Sequence, residues 1–218
     1  LTIVRDAARF SAPPSLVTAA PSGRRLGKQV TMPVFTAHTA ETAPTPARRA
    51  IEGVRRQFGW LPTPVALMAE SPQLLAGFLT ANAGFEQTDL TPLEREVVVL
   101  AVATTNECHV CVALHTGTLT RLGATAELIT ALRAGSVLPE PRLEALRRFT
   151  LAVLQHRGEV PDDELDDFLI SGFQPRHALD VVLGVGAYTI STFANRLTRA
   201  PLDPPLAAHA WTPADQAA

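Results

Sequence analysis

The chain has 218 residues, 46% of them hydrophobic, with 19 Lys and Arg against 21 Asp and Glu and a formal net charge of -2. That length accommodates one sizeable hydrophobic core, and the near balance of charge argues against a dedicated nucleic-acid surface. No uninterrupted apolar run reaches the roughly 18 residues of a membrane-spanning helix, so a soluble, cytoplasmic protein without membrane contact is expected.

Residues 1–31 differ from the rest. Pro13-Pro14 and Pro21-Ser22-Gly23-Arg24-Arg25 interrupt any sustained periodicity, and the stretch is basic and poor in acids. It reads as a disordered or non-native leader, with native translation beginning near Met32, the first methionine. A structured domain is expected over residues 32–204 and a tail over 205–218.

From Ala47 onward the punctuation is helical: Pro near starts, Gly near ends, and apolar residues three or four apart between them. Helices are predicted over Ala47–Phe58, stopped by Gly59, over Pro64–Ala69, and from Ser71-Pro72 to Gln87. Thr91-Pro92-Leu93-Glu94 is a capping box with proline at the first helical position, which starts a helix running to Thr104. Further helices are predicted over Cys108–Leu122, stopped by Gly123, then Thr125–Ala134, Arg142–Arg157, Asp162–Ser171 and Pro175–Arg199. No alternating strand pattern of useful length competes, so the fold class is all-α. Pro201–Ala218 reads as a tail whose Trp211 packs back on the body.

The chemistry concentrates in Cys108-His109-Val110-Cys111 and His115, which hold both cysteines of the chain. At about 100° per residue, Cys108, Cys111 and His115 share one helical face, so two thiols and a base converge on one pocket. A C-x-x-C pair lowers thiol pKa and closes a reversible disulfide. Two cysteines this close cannot staple a large fold, which leaves reactivity as their reason. Glu96 interrupts the apolar stripe Leu93, Val97, Leu100 and Thr104 of the preceding helix. A buried carboxylate needs a partner, and His115 is the candidate. His109 points away to the rim, and His156 and His177 read as surface or capping groups.

The run from Leu90 to Leu122, joining Glu96 to C-x-x-C-x-x-x-H, resembles the alkylhydroperoxidase AhpD-like proteins of the carboxymuconolactone decarboxylase superfamily. Phe58-Gly59-Trp60-Leu61-Pro62 with Pro64, and Ala187-Tyr188-Thr189 with Asn195, resemble its peroxidase-related branch, so the likeness extends over about residues 33–202. It implies an AhpD-like helical fold, usually homo-oligomeric, and a thiol peroxidase that needs no metal or flavin and is recycled by an external dithiol or lipoyl-type reductant. Position by position, it implies that Cys111 forms the sulfenic acid, Cys108 closes the disulfide, and Glu96 with His115 forms the activating relay. The chain departs from that pattern in carrying Val110 where a histidine stands between the cysteines, with His109 in the first position instead.

The residues also support this chemistry directly. A thiolate, not a thiol, attacks a hydroperoxide, and a free cysteine of pKa about 8.5 is mostly protonated at neutral pH. His115, held by Glu96, can take the Cys111 proton directly or through water. The helix dipole by itself favours Cys108 as the more acidic thiol. Two other readings stand beside this one: a lyase of the carboxymuconolactone decarboxylase type, and a redox-sensing or zinc-binding protein in which Cys108, Cys111, His115 and Glu96 hold the metal.

Overall fold

The computed structural model describes residues 34–216; the leader expected over residues 1–31 lies outside the described residues. Among the described residues there are nine α-helices, two short 3-10 turns and no strand, which is the all-α class expected. The helices are α1 (Thr45–Phe58), α2 (Thr63–Met68), α3 (Pro72–Glu86), α4 (Pro92–Thr105), α5 (His109–Arg121), α6 (Ala126–Ala134), α7 (Pro141–Gln155), α8 (Asp162–Ile170) and α9 (Pro175–Thr198). Their ends fall within a residue or two of the sequence boundaries because the stops and caps are chemical. Gly59 and Gly135 end α1 and α6 in the left-handed conformation, and the Ser71 and Thr125 side chains accept the Leu74 and Leu128 amides at 3.3 and 3.2 Å.

Helix α4 is the hub, packed against α5, α6, α7 and α9. It is buried continuously from Glu96 to Thr104, so it has no solvent face and its hydrophobicity runs all round rather than along one stripe. The capping box forms in full. The Thr91 amide donates to Glu94 at 2.8 Å, and the Glu94 amide donates to the Thr91 hydroxyl at 3.2 Å.

Helix α9 crosses α4 closely at Gly184. A Cβ there would sit 2.7 Å from the Phe85 ring and 3.0 Å from Val98. Among the described residues α9 is the one helix long and apolar enough to cross a membrane by length and composition. Its sequence shows no uninterrupted apolar run because Gly, Ser and Thr break it while charges remain scarce. Its inner row, with Tyr188, Ser191, Thr192 and Asn195 buried, is the packed side of a core helix.

The end of the chain is tied to the body. Trp211 is buried and donates its Nε1–H to the Arg133 carbonyl at 3.0 Å, while Arg133 donates to the His209 and Ala210 carbonyls at 3.0 and 2.7 Å. Asp203 accepts the Thr63 amide at 3.0 Å and so supplies a carboxylate to the start of α2.

Candidate active site

The α4–α5 turn sets the position of the first cysteine. Glu107 takes a left-handed φ of 49°, and the Cys108 amide returns to the Ala103 carbonyl at 2.9 Å. A non-glycine residue is uncommon there, and α9 holds it in place. Asn106 Nδ2 donates to Thr192 Oγ1 at 3.0 Å, and Arg196 donates to the Glu107 carbonyl at 2.8 Å. The structure corrects one boundary: Cys108 is the extended N-cap residue of α5, not its first helical residue. Its sulfur therefore sits at the positive end of the helix dipole.

Both thiols are free and buried. The Cys111 S–H donates to Cys108, and this bond, aided by the Cys111 and Val110 amides and Asn195 against the opposing effect of burial, draws the Cys108 thiol down to about 7. Cys111 moves the other way. Donating to Cys108, together with burial and the neighbouring negative charge, pushes its thiol well up. The more acidic thiol is the one the helix dipole favours. Asn195 bridges the pair, its Nδ2 standing 3.3 Å from Cys111 Sγ and 3.7 Å from Cys108 Sγ, and Ser191 Oγ lies 3.6 Å from Cys111 Sγ.

Glu96 and His115 meet as their places on α4 and α5 demand. Both are buried, and His115 Nδ1 lies 2.7 Å from Glu96 Oε2. An ionised carboxylate only accepts, so Nδ1 carries the proton, and in the neutral ring Nε2 is the free base. His115 has no hydrogen bond to either sulfur among the described residues, so a direct Cys111–His115 contact is absent from the resting arrangement. Its ring is fixed edge-on by Tyr188 at a centroid distance of 5.1 Å, and the Tyr188 hydroxyl donates to Asn82 Oδ1 at 2.9 Å. Burial and the Glu96 charge push the Tyr188 phenol well above its ordinary range, so it remains a neutral donor.

Cys111, His115, Glu96 and Tyr188 line one cavity of about 270 Å³. Its remaining wall is chiefly apolar, with Val54, Phe58, Met68, Phe78, Leu79 and Leu114. Cys108 is absent from that lining and borders a separate open depression with His109, Arg196 and Arg199. Asn195 reaches both. Its Oδ1 is buried without a hydrogen-bond partner among the described residues. No group of three His, Cys, Asp or Glu side chains among the described residues is arranged to hold a metal ion. His177 and His156 lie outside the site: His177 accepts the Gln174 amide at 3.0 Å in the cap of α9, and His156 ends α7.

Sequence reasoning missed Ser191, Asn106, Thr192 and Arg196, and it reached Tyr188 and Asn195 only through resemblance. A detectable signal was present: Tyr188, Ser191, Thr192 and Asn195 recur at helical spacing on an otherwise apolar helix.

The buried C-x-x-C pair and the Glu–His pair lie side by side on a helical scaffold centred on α4, an arrangement whose fold is similar to that of the AhpD core. A family model described as the carboxymuconolactone decarboxylase family matches residues 69–152, from the end of α2 into α7. The similarity of fold extends beyond that segment to most of the chain. A peroxidase-related protein from Ralstonia eutropha JMP134 with the alkylhydroperoxidase AhpD core superposes with a TM-score of 0.70 at 22% identity, covering 79% of this chain and 93% of its own. A peroxidase-related protein from Silicibacter sp. TM1040 gives 0.66 at 18% identity, covering 83% and 97%. The debrominase Bmp8, solved as a cysteine-to-alanine variant with 2,3,4-tribromopyrrole, gives 0.65 at 12% identity, covering 83% and 96%. No curated protein matches the chain.

Proposed function

We propose that the protein reduces organic hydroperoxides with its own dithiol and is returned to the reduced state by an external dithiol or lipoyl-type reductant. The observation that carries this reading is Cys111 opening, with the buried His115–Glu96 pair, into a largely apolar cavity while Asn195 bridges it to a second thiol, Cys108. A cytoplasmic setting suits it, because thiols are kept reduced there and dithiol reductants are present.

In the first step the Cys108 thiolate takes the proton of the neighbouring Cys111. The Cys111 thiolate attacks the terminal oxygen of the hydroperoxide. The S–O bond forms, the O–O bond breaks, and the alkoxide receives, by way of water and the His115 Nε2, the proton that Cys108 had taken, leaving an alcohol, a sulfenic acid at Cys111 and Cys108 again as thiolate. Asn195 Oδ1, otherwise without a partner, accepts the S–O–H proton. The Cys108 thiolate attacks the Cys111 sulfur, the S–O bond breaks as the disulfide closes, and the hydroxide displaced takes a proton from solvent and leaves as water. An external dithiol reduces this disulfide by exchange and carries away the two electrons given to the peroxide.

The test is chemical trapping. A Cys108→Ser variant is expected to consume one equivalent of cumene hydroperoxide and stop as a sulfenic acid at Cys111 that dimedone labels. A Cys111→Ser variant is expected to lose turnover by about 10³-fold or more, since no other group supplies the attacking sulfur at this cavity. Rapid labelling of Cys108 in the Cys111→Ser variant would reverse the two roles. A wild-type protein that consumes no hydroperoxide in the presence of dithiothreitol or dihydrolipoamide would remove the reading altogether.

A further inference from the structure

We infer that the cavity at Cys111 is an acyl-chain site, holding a monocarboxylic acid of about ten carbons extended along α5, with its carboxylate on Arg121 and its far end at Cys111. The binding site stands on the shape and charge of the cavity. That the far end of the natural ligand carries a hydroperoxide rests on the function proposed above.

One wall of the cavity is α5 from its first turn to its last. Val110, Cys111, Leu114, His115, Thr118 and Arg121 all line it, and at about 100° per residue these six share one helical face about 140° wide. The cavity is therefore a groove. Eleven residues at 1.5 Å each make it about 16 Å long, and about 270 Å³ spread over that length leaves a section on the order of 17 Å², room for one hydrocarbon chain. The wall supplied by α1 and α2 is apolar apart from Gln57, with Val54, Phe58, Pro64, Val65 and Met68. Arg121 is exposed and Cys111 buried, so the groove opens at its charged end and closes at the thiol.

Charge decides the orientation of the ligand. Both carboxylates of the lining are engaged, Glu96 with His115 at 2.7 Å and Glu86 with Arg95 at 3.4 Å, and both act on Tyr188, at the thiol end. Arg121 is the one arginine or lysine of the lining. A cation in the last turn of a helix ordinarily serves the carbonyls there. Arg121 folds back instead: its Nη2 donates to Thr118 Oγ1 at 2.9 Å, and its Nη1 lies 3.7 Å from where a Cβ on Gly117 would stand. That is its only hydrogen bond among the described residues, and the Thr118 hydroxyl reaches its own acceptor, the Leu114 carbonyl, only at 3.4 Å. A carboxylate suits these groups, accepting from the guanidinium fork and from the hydroxyl together. A second charge on the ligand would lie in the apolar stretch without a partner, so one carboxylate at one end is what the groove accepts.

The length follows from the helix. Thr118, which marks the guanidinium, stands about 10 Å beyond Cys111 and about 12 Å beyond Val110. Carbon–carbon bonds of about 1.5 Å in an extended zigzag advance about 1.25 Å each, so about ten carbons join the head site to the thiol end. Anchoring the head thus fixes which carbon of the ligand meets Cys111.

Isothermal titration of the reduced full chain with decanoate and with 1-decanol reads the binding. Decanoate is expected to bind about tenfold more tightly than the alcohol, and Arg121→Gln, checked for folding by circular dichroism, to erase the difference. Arg121→Lys keeps the charge without the fork and should restore part of it. Butanoate, too short to fill the apolar section, should bind at least about tenfold more weakly than decanoate. Turnover is read as the ratio of kcat/KM for ω-hydroperoxydecanoate to that for its methyl ester, expected to be about ten in the wild type and about one in Arg121→Gln. Equal affinity of the wild type for decanoate and decanol, or a preference for decanoate that survives in folded Arg121→Gln, would overturn the inference. Decanoate binding without turnover of any hydroperoxide would leave the site standing and remove the peroxidase reading. Turnover of cumene hydroperoxide with no preference for the acid over its ester would do the reverse.

Discussion

Helix α4 carries two buried carboxylates two positions apart, Glu94 and Glu96, and their surroundings differ in kind. Glu94 is saturated. It accepts the Thr91 amide, pairs with Arg142 Nε at 2.8 Å, and sits beneath an Arg142 guanidinium that itself lies 3.8 Å over the Phe173 ring. Phe173 in turn stacks on Phe168, and Phe168 on Phe149. Burial opposes its charge, but the Thr91 and Arg142 hydrogen bonds prevail and hold its carboxyl below the usual range. Glu96 has one partner, His115, and the pair lines a cavity together with Cys111 and with Asn195, whose amide oxygen has no partner among the described residues. Buried polar groups are normally satisfied, so a saturated carboxylate marks architecture and a cluster with spare donors and acceptors marks chemistry.

The largest effect separating the two ends of this comparison is expected from paired substitutions. Glu96→Gln keeps the shape and loses the charge that orients the His115 proton, so hydroperoxide turnover should fall by about 10- to 10³-fold with little change in melting temperature. Glu94→Gln should do the opposite, leaving turnover within about twofold while lowering stability by about 1–2 kcal/mol, since Arg142 is partly solvated and screens part of the loss. Steady-state kinetics with saturating reductant, alongside thermal melts, reads both. If Glu94→Gln slowed turnover as much as Glu96→Gln, saturation would not distinguish structure from chemistry in this protein.

A smaller, tenfold effect concerns the two sulfurs. With the Cys108 thiol drawn down to about 7, its thiolate is the minor form at pH 6 and the major form at pH 8. The sign follows from the direction of the shift: lowering a thiol pKa extends the reactive form to lower pH. Alkylation of Cys108 by iodoacetamide should rise about tenfold from pH 6 to 8 and then level off, whereas an ordinary thiol would still be climbing near pH 8.5. Peptide mapping assigns each cysteine. A Cys111 that alkylates first, with the plateau near neutrality, would move the acidic thiol to the cavity side and require a different proton acceptor in the first step.

Much of this arrangement was legible in the sequence because its causes are local. The Thr91–Glu94 box, the glycine stops and the Cys108, Cys111, His115 spacing all act within one or two helical turns, and Glu96 stood out as a charge on an apolar stripe. Three features were not legible in that way. The acid order of the thiols depends on which sulfur donates to the other, a matter of rotamers at an N-cap. Ser191 reaches Cys111 across 80 residues of sequence, and only the packing of α9 on α4, permitted by Gly184, brings it there. The outer face of α9 carries apolar residues at the same helical spacing as its inner row, so periodicity alone could not tell which side meets the core.

Ser191 supplies the smallest and most selective test. Its hydroxyl lies 3.6 Å from Cys111 Sγ and lowers that thiol's pKa against the larger effects of Cys108 and burial. Hydrogen bonds to sulfur are weak, so Ser191→Ala should remove about 0.5–1 kcal/mol of thiolate stabilisation and slow sulfenic acid formation at Cys111 by about two- to fivefold. The reduction of the disulfide should change less, because the first exchange expels the more acidic Cys108 thiolate and Cys111 leaves only in the second. Stopped-flow oxidation of the reduced protein separates the two half-reactions, and threonine at 191 should restore part of the rate by returning the hydroxyl. An equal slowing of both halves would mean that Ser191 only supports the packing of α9. No slowing at all would mean that Asn195 alone, at 3.3 Å, sets the polarity around the reacting sulfur.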